Sequence, residues 1–308
     1  MNRGEKMNGI KSIQNLDPNC VIKWRPTDLC NYNCTYCIRK PLVEEKEIDR
    51  VSVAKMIANL ADRLSRRSGK MCKIDLIGGE VTILSDLAEI IEELGHSVSV
   101  EKINITTNFS KPTEYFEELY THTAVPITMT VSYHPDYYEG SLEDFIKKAS
   151  EVSQIVYYLK CETVKTKDST HIDEFIRLCE EYGLDYMVEG DLMDADLKED
   201  SCSSVKPDPR YLVTFDDGHT ETFYTRNEFL KKYGNPDGSV DVKGYNCSRD
   251  YDYIYIDKDE IYSCTRKHNP ATFSPLKKVH KCYRSNGLCT LCGNISVYKN
   301  EEENNEFE

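Results

Sequence analysis

The sequence predicts an α/β protein in which stacked βα units around a parallel sheet are followed by a smaller domain that contains β-hairpins. Two observations carry this prediction. From residue 21 to about residue 190, short apolar or β-branched runs alternate with amphipathic helical segments, as in successive βα units. Beyond residue 210 the pattern changes to pairs of alternating runs joined by short polar turns, which is typical of hairpins.

Six segments of the first part have the composition of strands. Each is a short apolar or β-branched run that is bounded by a turn or by a helical pattern. We expect strands at 21–26, 73–79, 102–108, 126–133, 154–164 and 185–190.

Helices are predicted between these strands from apolar residues that recur every three or four positions. The first of them carries Val53, Met56, Ile57, Leu60 and Leu64. Ser85 is expected to cap a second helix that Gly95 stops, and Ser141 is expected to cap a later one. Cys179 falls on the apolar stripe of a further helix, so we expect a small core residue there and not a metal ligand.

Changes in composition divide the chain. Residues 191–210 turn acidic and then rich in serine and proline, as in a linker or a loop that faces the substrate, and the last residues are an acidic tail. The predicted parts are an N-terminal segment at 1–20, a βα domain at 21–195, a linker or substrate loop at 196–210, a hairpin domain at 211–298 and a tail at 299–308.

The composition of the chain disfavours some classes of function and favours others. The formal net charge of −14 over 308 residues disfavours a nucleic-acid partner, since such binding rests on lysine and arginine. No run is apolar and long enough to span a bilayer, and the N-terminus lacks the apolar core of a secretory signal, so we expect a cytoplasmic protein without a membrane partner. Thirteen cysteines in a reducing compartment point to metal ions or clusters.

The run CNYNCTYC places three cysteines at Cys30, Cys34 and Cys37. Three thiolates are one fewer than a cubane iron–sulfur cluster needs, so one iron would be open to a ligand from outside the protein. Structural zinc is the alternative, because cysteines at this spacing also hold that ion. Further on, KIDLIGGE ends in Gly78, Gly79 and Glu80: the glycines allow close approach of a ligand, and the carboxylate can accept hydrogen bonds from an ammonium group.

These motifs agree with the predicted strand ends. The cysteine loop follows the first strand, Gly78 to Glu80 close the second, and Asn108, Ser132 and Glu189 end later ones. In βα barrels the ligand site forms at the carboxyl ends of the strands. His134, before a proline in a turn-rich stretch, is expected to be a surface-loop residue, and a proton-transfer group is the alternative.

Together the two motifs resemble the radical S-adenosylmethionine (SAM) superfamily, and the resemblance covers residues 21–190. It implies an open partial (β/α)6 TIM-like barrel and a [4Fe-4S] cluster on Cys30, Cys34 and Cys37, with SAM on the open iron. One departure is Val81, where the family often has proline. The remaining implied SAM contacts are Tyr36 in the cysteine loop, Gly78, Gly79 and Glu80 at the methionine end, Asn108 and Ser132 near the ribose or carboxylate, and Met187 and Val188 at the adenine.

A second group of cysteines lies near the C-terminus. Cys247, Cys264, Cys289 and Cys292 could saturate one cluster or one zinc ion, and Cys282 leaves the fourth ligand open. The order of a cysteine, a hairpin, a second cysteine and a CxxC pair resembles the Twitch domain, a shortened relative of the SPASM domain that follows many radical SAM barrels. This resemblance implies one auxiliary [4Fe-4S] cluster, and a zinc ribbon is the alternative.

The resemblance implies an oxidoreductase-type enzyme that receives an electron from a low-potential donor such as flavodoxin or ferredoxin. Such an enzyme cleaves SAM to a 5′-deoxyadenosyl radical, which removes a substrate hydrogen. A ribosomally made peptide is the favoured substrate, because many Twitch and SPASM enzymes mature peptides. A small alcohol or amino sugar is the first alternative, and a non-catalytic iron–sulfur or zinc protein is the second. Glu189 and Asp191 sit where a substrate base could act, although solvated loop residues are the more common case.

Overall fold

The structure is a computed structural model. It describes residues 7, 9–37, 45, 47–191, 194, 196, 201–205, 208–235, 239–248 and 252–262, together with the short pieces 267–268, 280–281, 288–289 and 296–299.

The strands of the described chain are numbered in chain order. They are β1 Ile10–Asn15, β2 Cys20–Thr27, β3 Cys72–Gly78, β4 Val100–Thr107, β5 Ile127–Tyr133, β6 Tyr158–Lys165, β7 Asp185–Gly190, β8 Cys202–Ser203, β9 Tyr211–Phe215, β10 Thr220–Phe223, β11 Val240–Asp241, β12 Tyr245–Cys247, β13 Tyr253–Asp257, β14 Glu260–Tyr262, β15 Lys267–His268, β16 His280–Lys281, β17 Leu288–Cys289 and β18 Val297–Lys299.

Helices follow most of the central strands. They are α1 Arg50–Ser68, α2 Leu87–Gly95, α3 Thr113–Tyr120, α4 Leu142–Ser153, α5 Ile172–Glu181 and α6 Arg226–Tyr233, with a short 3-10 turn at Val81–Ile83. None of the helices in the described ranges is both long and apolar enough to cross a membrane.

The larger sheet has ten strands in the order β15-β14-β13-β2-β3-β4-β5-β6-β7-β8. Strands β2 to β7 are parallel neighbours in sequence order, and helices α1 to α5 pack on the sheet with their apolar residues buried. Within the described residues the sheet does not close on itself, since its two outermost strands, β15 and β8, do not pair with each other. This arrangement confirms the predicted partial barrel of six βα units.

The two sides of this sheet differ in polarity. Residues that point toward the helices are apolar and form the core. On the opposite side, Lys23, Asp75, Asn104 and Thr128 are register partners across four neighbouring strands. A face of this kind can take up a polar ligand.

All six predicted strands are present, with one shift. Helix α4 runs to Ser153 and a turn follows it, so the sixth of these segments becomes strand only at Tyr158. The Ser141 cap is confirmed, because its side chain accepts a hydrogen bond from the Asp144 backbone.

The predicted cap at Ser85 is wrong, since Asp86 precedes the first residue of α2 and makes no side-chain cap hydrogen bond. Gly95 does not stop this helix through a left-handed backbone, because it is the last helical residue and His96 after it is right-handed. A Cβ atom on Gly95 would lie 2.2 Å from Thr123 Oγ1, so the glycine serves close packing. Helix α6 had no counterpart in the sequence prediction.

A second sheet has the order β10-β9-β1-β18-β12-β16. Strand β1, from the N-terminal segment, pairs antiparallel with β9 on one side and β18 on the other. Ile10, Ile13, Tyr211, Phe229 and Val297 are buried in its core. The N-terminal segment therefore packs with the C-terminal part of the chain.

The β13–β14 hairpin belongs to the larger sheet. Strand β13 pairs in parallel with β2, the first barrel strand, and its register runs from Tyr253 opposite Val21 to Asp257 opposite Arg25. The hairpin thus extends the barrel sheet beside the strand that leads into the cysteine loop.

Candidate cofactor and active site

A cavity of about 300 Å³ opens at the carboxyl end of the parallel strands. The loop after β2, the turn after β3 and the last residues of β4 to β7 surround it. Its lining residues are Asp28, Cys30, Tyr32, Cys34, Tyr36, Cys37, Gly78, Gly79, Glu80, Thr106, Thr107, Asn108, Ser132, His134, Glu162, Val164, Glu189 and Gly190. The structure therefore brings the cysteine loop and the Gly-Gly-Glu turn to one cavity.

The three cysteines of the loop differ in exposure. Cys30 and Cys34 are half-buried and Cys37 is exposed. Burial raises the pKa of all three thiols, that of Cys34 to about 11, so the thiols are protonated at neutral pH and binding a metal would release protons. In the described part of the chain, no three His, Cys, Asp or Glu side chains are grouped closely enough to hold a single metal ion.

Gly78 and Gly79 bring the turn after β3 against the base of the cysteine loop. The Gly79 N–H donates to Thr27 O at 3.0 Å, and the Glu80 N–H donates to Leu29 O at 2.7 Å. A Cβ atom on Gly79 would lie 1.9 Å from Leu29 O, and Gly78 has a φ of +144°. Both positions therefore require glycine for a backbone-to-backbone contact.

Glu80 is a buried carboxylate in the cavity wall, with a relative exposure of 1%. Its Oε1 accepts from the Thr82 N–H at 2.9 Å, the Thr82 hydroxyl at 2.7 Å and the Thr107 hydroxyl at 2.8 Å, and its Oε2 accepts from the Asn108 N–H at 2.5 Å. Burial raises the pKa of Glu80 while these hydrogen bonds oppose the rise. Within the described residues no ion pair reaches this carboxylate, so a ligand cation would find a site already oriented by four donors.

Asn108 connects the end of β4 to the cysteine loop. Its Nδ2 donates to Asn31 Oδ1 at 2.7 Å and lies 4.0 Å from Cys30 Sγ, while its Oδ1 accepts from the Ser110 N–H at 3.1 Å. The side chain thus orients the loop beside the first cysteine.

His134 lies in the loop after β5, as expected, and its side chain is half-buried. Its Nδ1 lies 2.7 Å from the hydroxyl oxygen of Tyr36, the two rings stack with centroids 5.9 Å apart, and Tyr32 packs edge-on against the same imidazole. Burial lowers the pKa of His134 to about 4, so the imidazole is neutral at pH 7. The cysteine loop folds over the end of β5 and partly covers this side chain, a contact that a local turn pattern could not reveal.

Of the SAM contacts predicted at the ends of the later strands, some line the cavity and others do not. Ser132 lines the cavity, as do Glu162, Val164 and Glu189 from β6 and β7. Met187 and Val188 do not: Val188 is buried in the core, and Met187 Sδ lies 3.8 Å from Lys160 Nζ. Sequence reasoning missed Glu162, although its alternation with Lys160 and Val164 along β6 places it on the polar face.

Glu162 has an unusual environment for a carboxyl group. Burial, together with the charge of Glu189 on the adjacent strand, raises its pKa to about 7, and Lys160 at 3.9 Å opposes this shift. Glu162 therefore changes its protonation state near neutral pH at the wall of the cavity.

Most of the predicted auxiliary ligands lie outside the described residues. These are Cys264, Cys282 and Cys292, while for Cys289 only the backbone is described, in strand β17. Cys247 is buried at the end of β12, with His280 and Val297 as register partners on either side. The auxiliary site stays a prediction.

Fold and site define an α/β partial-barrel protein with a three-cysteine cofactor site at the carboxyl end of its strands. Residues 24–138 match the family described as the Radical SAM superfamily. They contain the cysteine loop, the Gly-Gly-Glu turn and His134. The part of the chain that carries the site therefore matches the radical SAM superfamily.

Individual relatives agree with this assignment. The chain is 29% identical over 162 residues to a GTP 3′,8-cyclase of Listeria monocytogenes, which corresponds to 49% of this chain and 47% of the relative. It is 33% identical over 82 residues to molybdenum cofactor biosynthesis protein 1 of Dictyostelium discoideum, covering 27% and 13% of the two chains. The chain thus spans about half the length, or less, of these curated relatives.

Among solved structures, Streptococcus suis SuiB bound to precursor peptide SuiA matches 83% of this chain and 63% of its own, with a TM-score of 0.51 and 14% identity. At 14% identity, this similarity shows a shared fold and nothing further. It extends beyond the barrel strands, because 83% of the chain is more than the segment 20–190 that contains β2 to β7.

The superfamily's cofactors are a [4Fe-4S] cluster and SAM, and the residues of this cavity fit them. Three thiols enter from one loop, and Glu80 presents a buried carboxylate that no described cation neutralises. An ammonium group of a ligand would supply the missing charge at Glu80.

Proposed function

We propose that this chain reductively cleaves SAM and uses the resulting radical to oxidise a ribosomally made peptide. The observation that carries the proposal is the meeting of Cys30, Cys34 and Cys37 with Gly78 to Glu80 around one cavity. When bound, the cluster and SAM supply a 5′-deoxyadenosyl radical that abstracts a hydrogen atom from the substrate. The protein's part is to bind, orient and shield these groups.

Each group of residues has a role in this proposal. Cys30, Cys34 and Cys37 would hold the cluster, and Glu80 would accept hydrogen bonds from the SAM ammonium group. Asn108, at hydrogen-bonding distance from Asn31, would keep the cysteine loop in place over the cavity.

The remaining SAM contacts belong to the same proposal. Tyr36 would cover one side of SAM, held by its contact with His134. Ser132 would bind near the ribose. Met187 remains the proposed neighbour of the adenine, because it shares one side of β7 with Glu189 of the cavity wall, whereas the predicted contact through Val188 would need its backbone, since its side chain is buried in the core.

The charge of the cavity bears on the substrate. Glu80, Glu162 and Glu189 line it, whereas Asp28, which also lines it, is paired with Arg25 and Lys258. A polyanion would meet repulsion in such a site, since phosphate binding relies on arginine, lysine or backbone N–H groups. This argues against a nucleoside triphosphate, although the curated relatives include GTP 3′,8-cyclases. A peptide or a small amine meets no such repulsion.

The peptide is favoured over a small molecule by the likeness to SuiB, which was solved with its precursor peptide SuiA. A small alcohol or amino sugar is the second candidate, because an amino group would suit the acidic cavity. Either substrate would lose electrons, and one auxiliary [4Fe-4S] cluster on Cys247, Cys264, Cys289 and Cys292 would accept them. A cytoplasmic location and a donor such as flavodoxin or ferredoxin complete the proposal, supported by the cysteine-rich composition.

Anaerobic reconstitution with iron and sulfide, followed by dithionite and SAM, tests the chemistry. We expect 5′-deoxyadenosine in the wild type and none in the Cys30→Ala/Cys34→Ala/Cys37→Ala variant. In that variant, the iron and labile sulfide contents should fall by the amount held in one [4Fe-4S] cluster. The amount held in one auxiliary cluster should remain. Absence of 5′-deoxyadenosine, with a wild-type spectrum that SAM does not change, would show that the chain is a non-catalytic metal protein.

The substrate is tested with a short peptide encoded beside the gene and, in parallel, with an amino sugar. We expect mass spectrometry to show loss of two hydrogen atoms from the peptide only, and an oxidised amino sugar would instead support the second candidate. GTP serves as the polyanionic control.

A further inference from the structure

A partly buried network of ion pairs, centred on Arg25, joins the β13–β14 hairpin to the base of the cysteine loop. Arg25, on β2, is 3% exposed. Its Nε donates to Asp257 Oδ1 at 2.9 Å, a second guanidinium nitrogen contacts Asp257 Oδ2, and the third lies 3.2 Å from Asp28 Oδ1. The pairing with Asp257 is bidentate, which fixes the orientation of both side chains.

The turn of the hairpin reinforces this contact. Lys258 has a left-handed φ of +55°, its N–H donates to Arg25 O at 2.7 Å, and its carbonyl accepts from Trp24 Nε1 at 2.8 Å. Its ammonium group lies 3.3 Å from Asp28 and 3.4 Å from Glu45. The hairpin turn therefore holds β2 through the main chain and the loop base through charge.

The acidic partners stand on both sides of the cysteine triplet. Asp28 lines the cavity two residues before Cys30, and Glu45 comes after the third cysteine in the chain. Glu45 accepts from the Asp28 N–H at 2.9 Å and from the Thr27 hydroxyl at 2.5 Å, and it pairs with Arg50 at 2.9 Å. The network therefore ties the two ends of the loop together.

Each cation of this network contacts two carboxylates. Arg25 contacts Asp28 and Asp257, and Lys258 contacts Asp28 and Glu45. Removal of the Asp257 carboxylate would leave the buried guanidinium of Arg25 with Asp28 as its single carboxylate partner, which would draw the two closer. Loss of the Asp257 charge should thus pull Arg25 toward Asp28, and with Asp28 the start of the cysteine loop.

We propose that Asp257 is a positioning residue: through Arg25 and Asp28, the C-terminal hairpin sets the conformation in which the cysteine loop accepts the cluster and SAM. The inference rests on the proposed function, because it concerns the same cavity. It assigns to the hairpin a part in the SAM site that is separate from any auxiliary cluster.

Asp257→Asn tests this, since it removes the charge and keeps the shape. Equilibrium dialysis gives the Kd for SAM on reconstituted protein, and EPR of the dithionite-reduced cluster reports its surroundings, both normalised to bound iron. We expect a Kd about tenfold higher and an altered EPR line shape, with Asp257→Glu restoring both. If Asp257→Asn fails to fold, Lys258→Gln, which removes contacts to Asp28 and Glu45, should change Kd and line shape in the same direction.

Asp252→Asn is the matched control. Asp252 precedes the same strand at its other end, is 8% exposed and pairs with Lys70 at 3.3 Å, far along β13 from the cysteine loop. We expect Asp252→Asn to lower the melting temperature and to leave the Kd and EPR spectrum as in wild type. Equal effects of the two variants on Kd, or an Asp257→Asn protein that is less stable but binds SAM normally, would overturn the inference. Wild type that binds no SAM would instead refute the proposed function itself.

Discussion

Gly79 is the residue at which the site leaves least room. Alanine there would place its Cβ 1.9 Å from Leu29 O, far inside the contact distance of about 3.5 Å, so the cysteine loop must move. We expect Gly79→Ala to lose most of the iron bound on reconstitution and to lower the free energy of unfolding by about 1–3 kcal/mol. Iron analysis and urea denaturation measure the two effects.

Gly69→Ala is the control for this substitution. Gly69 has a φ of +70° but no atom within 4 Å of the added Cβ. Its replacement should cost about 1–2 kcal/mol from backbone strain alone and leave iron binding unchanged. Wild-type iron content in Gly79→Ala would contradict the role of the close contact.

Glu162 gives the protein a predictable response to pH. Its pKa in the folded chain, about 7, lies above the value of about 4.3 in an unfolded chain. Below about pH 4 the carboxyl group is protonated in both states and does not affect stability. As the pH rises from about 4 through 7, the folded state is destabilised increasingly, because the group ionises readily in the unfolded chain but only at a free-energy cost in the folded one. Compared with wild type, Glu162→Gln should gain stability between pH 5 and pH 8, by about 1–3 kcal/mol at the upper end.

Melting temperatures of the cofactor-free proteins from pH 4 to pH 9 measure this difference. Glu189→Gln should give a smaller gain, because it removes only the neighbouring charge that contributes to the shift. If the melting temperatures of wild type and Glu162→Gln differ by the same amount at every pH, this result would contradict the raised pKa of Glu162.

At the scale of elements, Ser141, the N-cap of α4, can be compared with Ser85, which the sequence predicts as the N-cap of α2 but which the structure does not use. Ser141 forms a reciprocal capping box with Asp144, whereas Ser85 precedes a helix that lacks a side-chain cap. We expect Ser141→Ala to lower the free energy of unfolding by about 0.5–2 kcal/mol. Ser85→Ala should change it by less than about 0.5 kcal/mol. Urea denaturation decides between them, and equal losses would show that the two serines do not differ as caps.

The elements also show what local sequence can reveal. The strands and the helix stripes are legible because each is a short-range pattern, and the cysteine loop and Gly78 to Glu80 are legible because their chemistry is contained in a few positions. The pairing of β13 with β2 joins segments more than two hundred residues apart and has no local signal. The contact between Tyr36 and His134 has no local signal either, since the two residues are 98 positions apart.

At the scale of the molecule, Trp24 reports on the junction between barrel and hairpin. It is the only tryptophan of the chain, is fully buried and donates to Lys258 O at 2.8 Å. Because β2 and β13 share one sheet, we expect the urea transition of Trp24 fluorescence to coincide with that of far-UV circular dichroism. A fluorescence change at lower urea would mean that the hairpin leaves the barrel before the barrel unfolds.

The pairing of Arg25 with Asp257 also affects the order of events during synthesis. The two residues are 232 positions apart, and a ribosome adding about 5–20 residues per second needs about 12–46 s to make the second after the first. Until then one edge of β2 has no neighbouring strand and is open to wrong pairing with other chains. The loop that carries Cys30, Cys34 and Cys37 is thus completed only when most of the chain has left the ribosome, so assembly factors that deliver iron and sulfur would meet a nearly full-length protein.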